Sequence, residues 1–177
     1  MDGSNNLDDI NKKLKISFDK NLRPEGYKLE INTEKISITA ADEAGAFYGR
    51  QTLNQLLKQC DDNKCPEVTV DDFPELKLRA VMLDVSRDKM PTLEFIMNFV
   101  DQLSNWKVNT FMLYIEHTFA YKDHKKVWEK ASPLTAEDIQ KLNAFCKERF
   151  ITLVPCQNSL GHLLRWLCHE PYRQLAE

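Results

Sequence analysis

The sequence predicts an α/β protein in two parts, a small sheet-plus-helix domain followed by a parallel sheet with helices. Three observations carry this. Short alternating apolar runs fill the first part of the chain and lead into one long amphipathic stretch. From Leu78 onward, continuous apolar strands alternate with helical patterns, the signature of a parallel sheet covered by helices. Each of those later strands ends in a polar cluster.

In chain order, residues 1–12 are polar and are expected to be disordered. From Lys13 the pattern is strand-like, with Leu14, Ile16 and Phe18 alternating. A turn at "NLRPEG" precedes two more alternating runs, "YKLEI" and "KISITA", split by Asn32, Thr33 and Glu34. "ADEAGAFYGRQTLNQLLKQC" reads as a helix capped at Asp42, with Ala46, Leu53, Leu56 and Leu57 near one face. Gly45 and Gly49 each cost this helix about 1 kcal/mol relative to Ala, so something must approach its backbone closely. Packing of the helix on its own sheet is the preferred cause. "CDDNK" is a loop, and "CPEVTVDDFPEL" is a last short strand and linker, which places this domain at residues 13–72 and the next part at 73–177.

The second part opens with the strand "KLRAVMLDV". The helix "PTLEFIMNFVDQLSNW" follows, with Leu93, Ile96, Met97, Val100 and Leu103 on one stripe and Pro91 and Thr92 at its start. The strand "VNTFMLYIE" leads into a long polar and aromatic loop. "TAEDIQKLNAFCKERF" has Thr135 and Asp138 at capping-box spacing and directs Ile139, Leu142 and Phe145 inward. "ITLVPCQN" is the third strand. A doubly wound sheet and part of a TIM barrel both fit this order. No strand is followed by GxGxxG or GxxxxGK[ST], so a nucleotide-binding version has no support.

Composition narrows the partners. The 177 residues carry a formal charge of −3, and no Lys/Arg run exceeds two, which argues against nucleic acid and anionic membranes. The start has neither a basic nor an apolar leader region, and no stretch of some 18 apolar residues occurs, so a soluble, cytoplasmic chain is expected. Five cysteines, an odd number, read as reduced thiols. A clip between Cys60 and Cys65 and a metal site from Cys156, His162, Cys168 and His169 are both disfavoured, the latter because its spacing is looser than that of structural zinc pairs.

The three polar strand ends are Asp84, Ser86, Arg87 and Asp88; Glu116, His117 and Thr118; and Gln157, Asn158, Ser159 and His162. In either architecture they share one side of the sheet, where such folds hold ligands. Phe119, Tyr121 and Trp128 in the second loop fit either sugar stacking or packing of the loop on itself.

The run from Glu25 to Leu57, with Gly45-Ala46-Phe47-Tyr48-Gly49-Arg50-Gln51-Thr52-Leu53 at its centre, resembles the small α/β domain that precedes the catalytic barrel in family 20 glycoside hydrolases, the β-N-acetylhexosaminidases. "LRAVMLDVSRDKMP" resembles the first barrel strand, and Leu160-Gly161-His162 resembles the end of the third. The resemblance implies an accessory domain followed by the first three βα units of a TIM (β/α)8 barrel. It places Arg87 on the hydroxyls of a terminal N-acetylhexosamine, where a guanidinium fork grips two adjacent hydroxyls, with Asp84 orienting it and Asn158 nearby. His162 matches a histidine of the network around the general acid, and Glu116 or His117 stands where the family has an acidic group. Cys156-Gln157-Asn158-Ser159 replaces a more usual acidic run.

The family's chemistry is substrate-assisted, with an Asp-Glu pair after the fourth strand. The resemblance therefore implies no cofactor and no metal, an N-acetylhexosamine-containing glycan as substrate, and a catalytic pair lying beyond Glu177. The 177-residue chain is expected to be inactive on its own. The alternative is a non-catalytic carbohydrate-binding or interaction module derived from such an enzyme. Self-association through exposed barrel strand edges is also expected.

Overall fold

A computed structural model of the chain describes residues 14–33, 35–60 and 67–176. The N-terminal stretch expected to be disordered, Asp61, Asp62 and Cys65 lie outside the described residues. The chain forms two compact units, residues 1–77 and 78–177.

In the first unit, β1 (Leu14–Phe18), β2 (Tyr27–Ile31), β3 (Ile36–Ala40) and β4 (Val68–Asp72) form one mixed sheet in the order β1-β3-β2-β4. β1 runs parallel to β3, and β2 runs antiparallel to both β3 and β4. Alternation buries Tyr27, Leu29 and Ile31 with Ile36, Ile38 and Ala40 on a single face. α1 (Glu43–Leu57) covers that face. Its cap is Asp42, whose Oδ1 accepts the Gly45 N–H at 2.8 Å while Oδ2 accepts the Glu25 N–H at 2.9 Å. Both helix glycines have a steric reason. A Cβ on Gly45 would stand 2.4 Å from the Gly26 carbonyl oxygen, and one on Gly49 would stand 2.9 Å from Ile38 Cγ2. The helix thus lies closely on its own sheet. Tyr48 is buried as deeply as Leu53, whereas Leu56 and Leu57 are only half-buried, because the contact is centred on the glycine face rather than on the leucines.

In the second unit, β5 (Ala80–Asp84), β6 (Thr110–Ile115) and β7 (Thr152–Gln157) form a parallel sheet in chain order. α2 (Leu93–Asn105) joins β5 to β6. The connection from β6 to β7 carries α3 (Lys125–Trp128) and α4 (Ala136–Lys147), and the chain continues from β7 into α5 (Leu164–Leu167) and α6 (Glu170–Arg173). Ile96, Val100 and Leu103 from α2 and Leu142 and Cys146 from α4 pack with Phe111, Leu113 and Ile115 of the central strand. Burial pushes the Cys146 thiol up to about 11, so it behaves as a core apolar group rather than a nucleophile. The capping box at Thr135 is complete, with Thr135 N–H donating to Asp138 Oδ2 at 2.9 Å and Asp138 N–H donating to Thr135 Oγ1 at 3.1 Å.

The segment expected as a plain loop contains α3 and a parallel bridge between Phe119 and Leu134. It and the two short helices after β7 escape periodicity because four residues barely complete one turn. Ile139 and Phe145 are half-buried, and Cys146 takes the deep position instead.

Candidate functional site at the carboxyl ends of β5, β6 and β7

The register aligns Asp84 with Tyr114 and Tyr114 with Cys156, so the three polar clusters leave the sheet at one end. Asp84 is the first anchor. Its Oδ1 accepts the Ser86 N–H at 2.8 Å, and its Oδ2 accepts both Nε–H and Nη2–H of Arg87. This contact with Asp84 holds the Arg87 guanidinium above its usual range. The rest of that guanidinium faces solvent, 5.1 Å from the Tyr114 ring. An anchored fork with free donors suits paired hydroxyls.

Ser86 ties the first strand end to the second. Its hydroxyl accepts the Glu116 N–H at 2.7 Å and lies 2.9 Å from Thr118 Oγ1. Glu116 is buried, with its carbonyl accepting from Gln157 Nε2 at 3.1 Å and from the Trp166 indole at 2.7 Å. Its carboxylate accepts the Tyr114 hydroxyl at 3.0 Å and stands 3.8 Å from His162 Nδ1. Asn158 Nδ2 donates to the same tyrosine oxygen. Burial, and then the hydrogen bond to Glu116, raise the Tyr114 phenol above its ordinary range, so it stays a protonated donor. His162 is largely exposed, on a left-handed backbone turn with φ 54°.

Arg87, Asp84, Glu116, Asn158 and His162 are thus brought together, with Tyr114 at their centre. Tyr114 was not singled out in the sequence because it occupies an ordinary strand position. The signal available was its place at the carboxyl end of β6 on the face opposite Leu113 and Ile115. His117 makes no hydrogen bond to this group but lines a cleft together with Ser86 and Arg87. It is buried on the other side of the strand end, where burial, and then the neighbouring Arg165 charge, lower its pKa.

The loop aromatics pack mainly against one another. Phe119 and Tyr121 meet edge-on at 4.8 Å, the Tyr121 ring lies 5.4 Å from Trp166, and Trp128 donates to the Tyr121 carbonyl at 2.8 Å. His124 Nδ1 pairs with the Tyr172 hydroxyl at 2.7 Å, which ties α6 to this loop. Among the described residues, no three His, Cys, Asp or Glu side chains gather as a metal-binding set.

Comparison with known proteins places this arrangement. Residues 2–73 match the glycosyl hydrolase family 20, domain 2. The chain is 29% identical to a lacto-N-biosidase from Bifidobacterium bifidum, aligned over 99% of the chain and 16% of that protein. It is 28% identical to a β-hexosaminidase from Porphyromonas gingivalis over 88% of the chain and 23% of that protein. It therefore spans less than a quarter of the length of these two relatives. Among solved structures, it superposes on the β-N-acetylhexosaminidase from Bacteroides fragilis with a TM-score of 0.79 at 26% identity, covering 90% of this chain and 35% of that one. It also superposes on the Flavobacterium johnsoniae chitobiase with a TM-score of 0.77 at 31% identity, covering 88% and 26% respectively. A family 20 domain thus matches the front of the chain, and solved β-N-acetylhexosaminidase and chitobiase structures match most of its length.

Proposed function

We propose that this chain supplies one wall of the sugar pocket of a β-N-acetylhexosaminidase, an enzyme that removes terminal N-acetylhexosamine from glycoconjugates by substrate assistance. On this reading the second unit is the first three βα units of a (β/α)8 barrel, and its polar strand ends line the mouth. The observation that carries the reading is the Arg87 fork anchored on Asp84 beside the Glu116, Tyr114, Asn158 and His162 network. Arg87 grips two sugar hydroxyls, and Asn158 and Tyr114 add further polar contacts. His162 and Glu116 support the acid network rather than supplying the acid.

The acid itself has no counterpart in the second unit, since residues 78–177 contain no Asp-Glu dipeptide. Asp42-Glu43 caps α1 in the first unit and is occupied there by the Gly45 and Glu25 amides. The same observation favours a second reading, a non-catalytic sugar-binding module. Both readings expect no turnover of an aryl N-acetylglucosaminide by the 177-residue chain, and turnover abolished by Glu116→Ala would overturn that expectation.

Titrating the chain with N-acetylglucosamine by calorimetry tests the pocket. Binding should weaken about tenfold or more in Arg87→Ala, the scale of losing charged hydrogen bonds. Affinity unchanged by Arg87→Ala removes this residue from the site.

A further inference from the structure

His117 is about nine-tenths buried, and its Nδ1 meets no hydrogen-bond partner among the described residues. Buried polar nitrogens nearly always find one, so an orphan at a strand end points to something that arrives there. Two clefts, of about 340 and 360 Å³, lie against this imidazole, and Lys130 and Arg165 line both. Lys126 joins them in the first, and Lys89 and Arg87 join them in the second.

One carboxylate lines each cleft, Glu129 in the first and Asp88 in the second, so cations are in excess in both. Among the described residues, Lys126, Lys130 and Arg165 are joined to no carboxylate by an ion pair, whereas the Arg87 charge is already held by Asp84. The chain as a whole carries a formal charge of −3, so this hollow runs against the sign of the molecule. Gathered cations repel unless an anion sits between them. A neutral imidazole carrying its proton on Nδ1 offers that anion a donor.

We propose that the hollow around His117 is an oxyanion-binding site, taking a carboxylate or sulfate either as a free ion or as the acidic group of a sugar. One oxyanion there satisfies the orphan nitrogen and neutralises Lys130 and Arg165 together. The second cleft is also lined by Ser86 and Arg87, so the hollow borders the hydroxyl-binding fork. Only its sugar-borne form rests on the sugar reading.

The test is imidazole NMR of the isotope-labelled 177-residue chain, whose four histidines give few signals to follow. Sodium sulfate, sodium glucuronate and uncharged glucose are titrated at constant pH and ionic strength. A saturable shift of the His117 resonance with sulfate or glucuronate, absent with glucose, is the expected result. Lys130→Gln and Arg165→Gln, both at exposed positions, should each weaken it about tenfold, while Lys147→Gln on α4 should not change it. Glucuronate binding more tightly than sulfate assigns the site to an acidic sugar, and the reverse order assigns it to the free ion. No saturable shift with either anion, or shifts untouched in both variants, overturns the proposal. The readout involves no N-acetylhexosamine, so its failure is distinct from failure of the sugar reading.

Discussion

At Gly45 the missing side chain matters more than any present one near it. The nearest obstacle to a Cβ is the backbone oxygen of Gly26, which cannot rotate away as a side chain can. Gly45→Ala should therefore destabilise the first unit by about 1–3 kcal/mol despite the gain in helix propensity. A denaturant midpoint equal to or above that of the wild type would contradict this. In the site, Arg87 and Asp84 were legible in the sequence because their contact spans three residues and follows directly from the strand's end. Tyr114 was not. Its role depends on Asn158, 44 residues away along the chain, and no local pattern records that meeting.

Among the elements, α4 shows most directly how local chemistry sets a boundary. Hydrogen bonds from the Thr135 N–H and hydroxyl hold the Asp138 carboxyl below its usual range. A depressed carboxyl pKa stabilises the fold at pH above its unfolded value, and that contribution is lost as pH falls through the folded one. Thr135→Ala should cost about 1 kcal/mol at neutral pH. The variant should also lose part of the acid dependence of unfolding, so the gap between the two proteins narrows below the normal carboxylate range. Parallel pH profiles for the two would argue against the cap as its source. The long helices and the seven strands among the described residues were legible because periodicity and caps act within a few residues. α3, α5 and α6 were not, since they are held by contacts such as the His124 and Tyr172 pair rather than by propensity.

At the level of the second unit, its own helices pack on one face of the sheet among the described residues. Phe111, Leu113 and Ile115 point into the helices, while Met112 and Tyr114 lie on the opposite face beside Met82 and Val154. Parallel sheets ordinarily have both faces covered. The outer edges of β5 and β7 pair with no strand among the described residues, and Met82 is 52% exposed. Pro155 removes one donor from β7, which leaves β5 the more inviting edge. The isolated chain should self-associate, seen as a rise of the sedimentation coefficient with concentration, and Met82→Lys should reduce it. A single monomeric species of both proteins at all concentrations would sink this expectation.

The amino-acid sequence by itself determined the order of the strands and the long helices, the Asp42 and Thr135 caps, and the emergence of three polar clusters at strand ends. These follow from side-chain period and short-range hydrogen bonding, which are properties of neighbouring residues. Only the tertiary structure decided that Tyr114 links Glu116 to Asn158, that His162 reaches Glu116, and that His117 turns away into a basic hollow. Those arrangements depend on the register of parallel strands brought together across whole helical crossovers, and on burial, which no stretch of sequence contains alone.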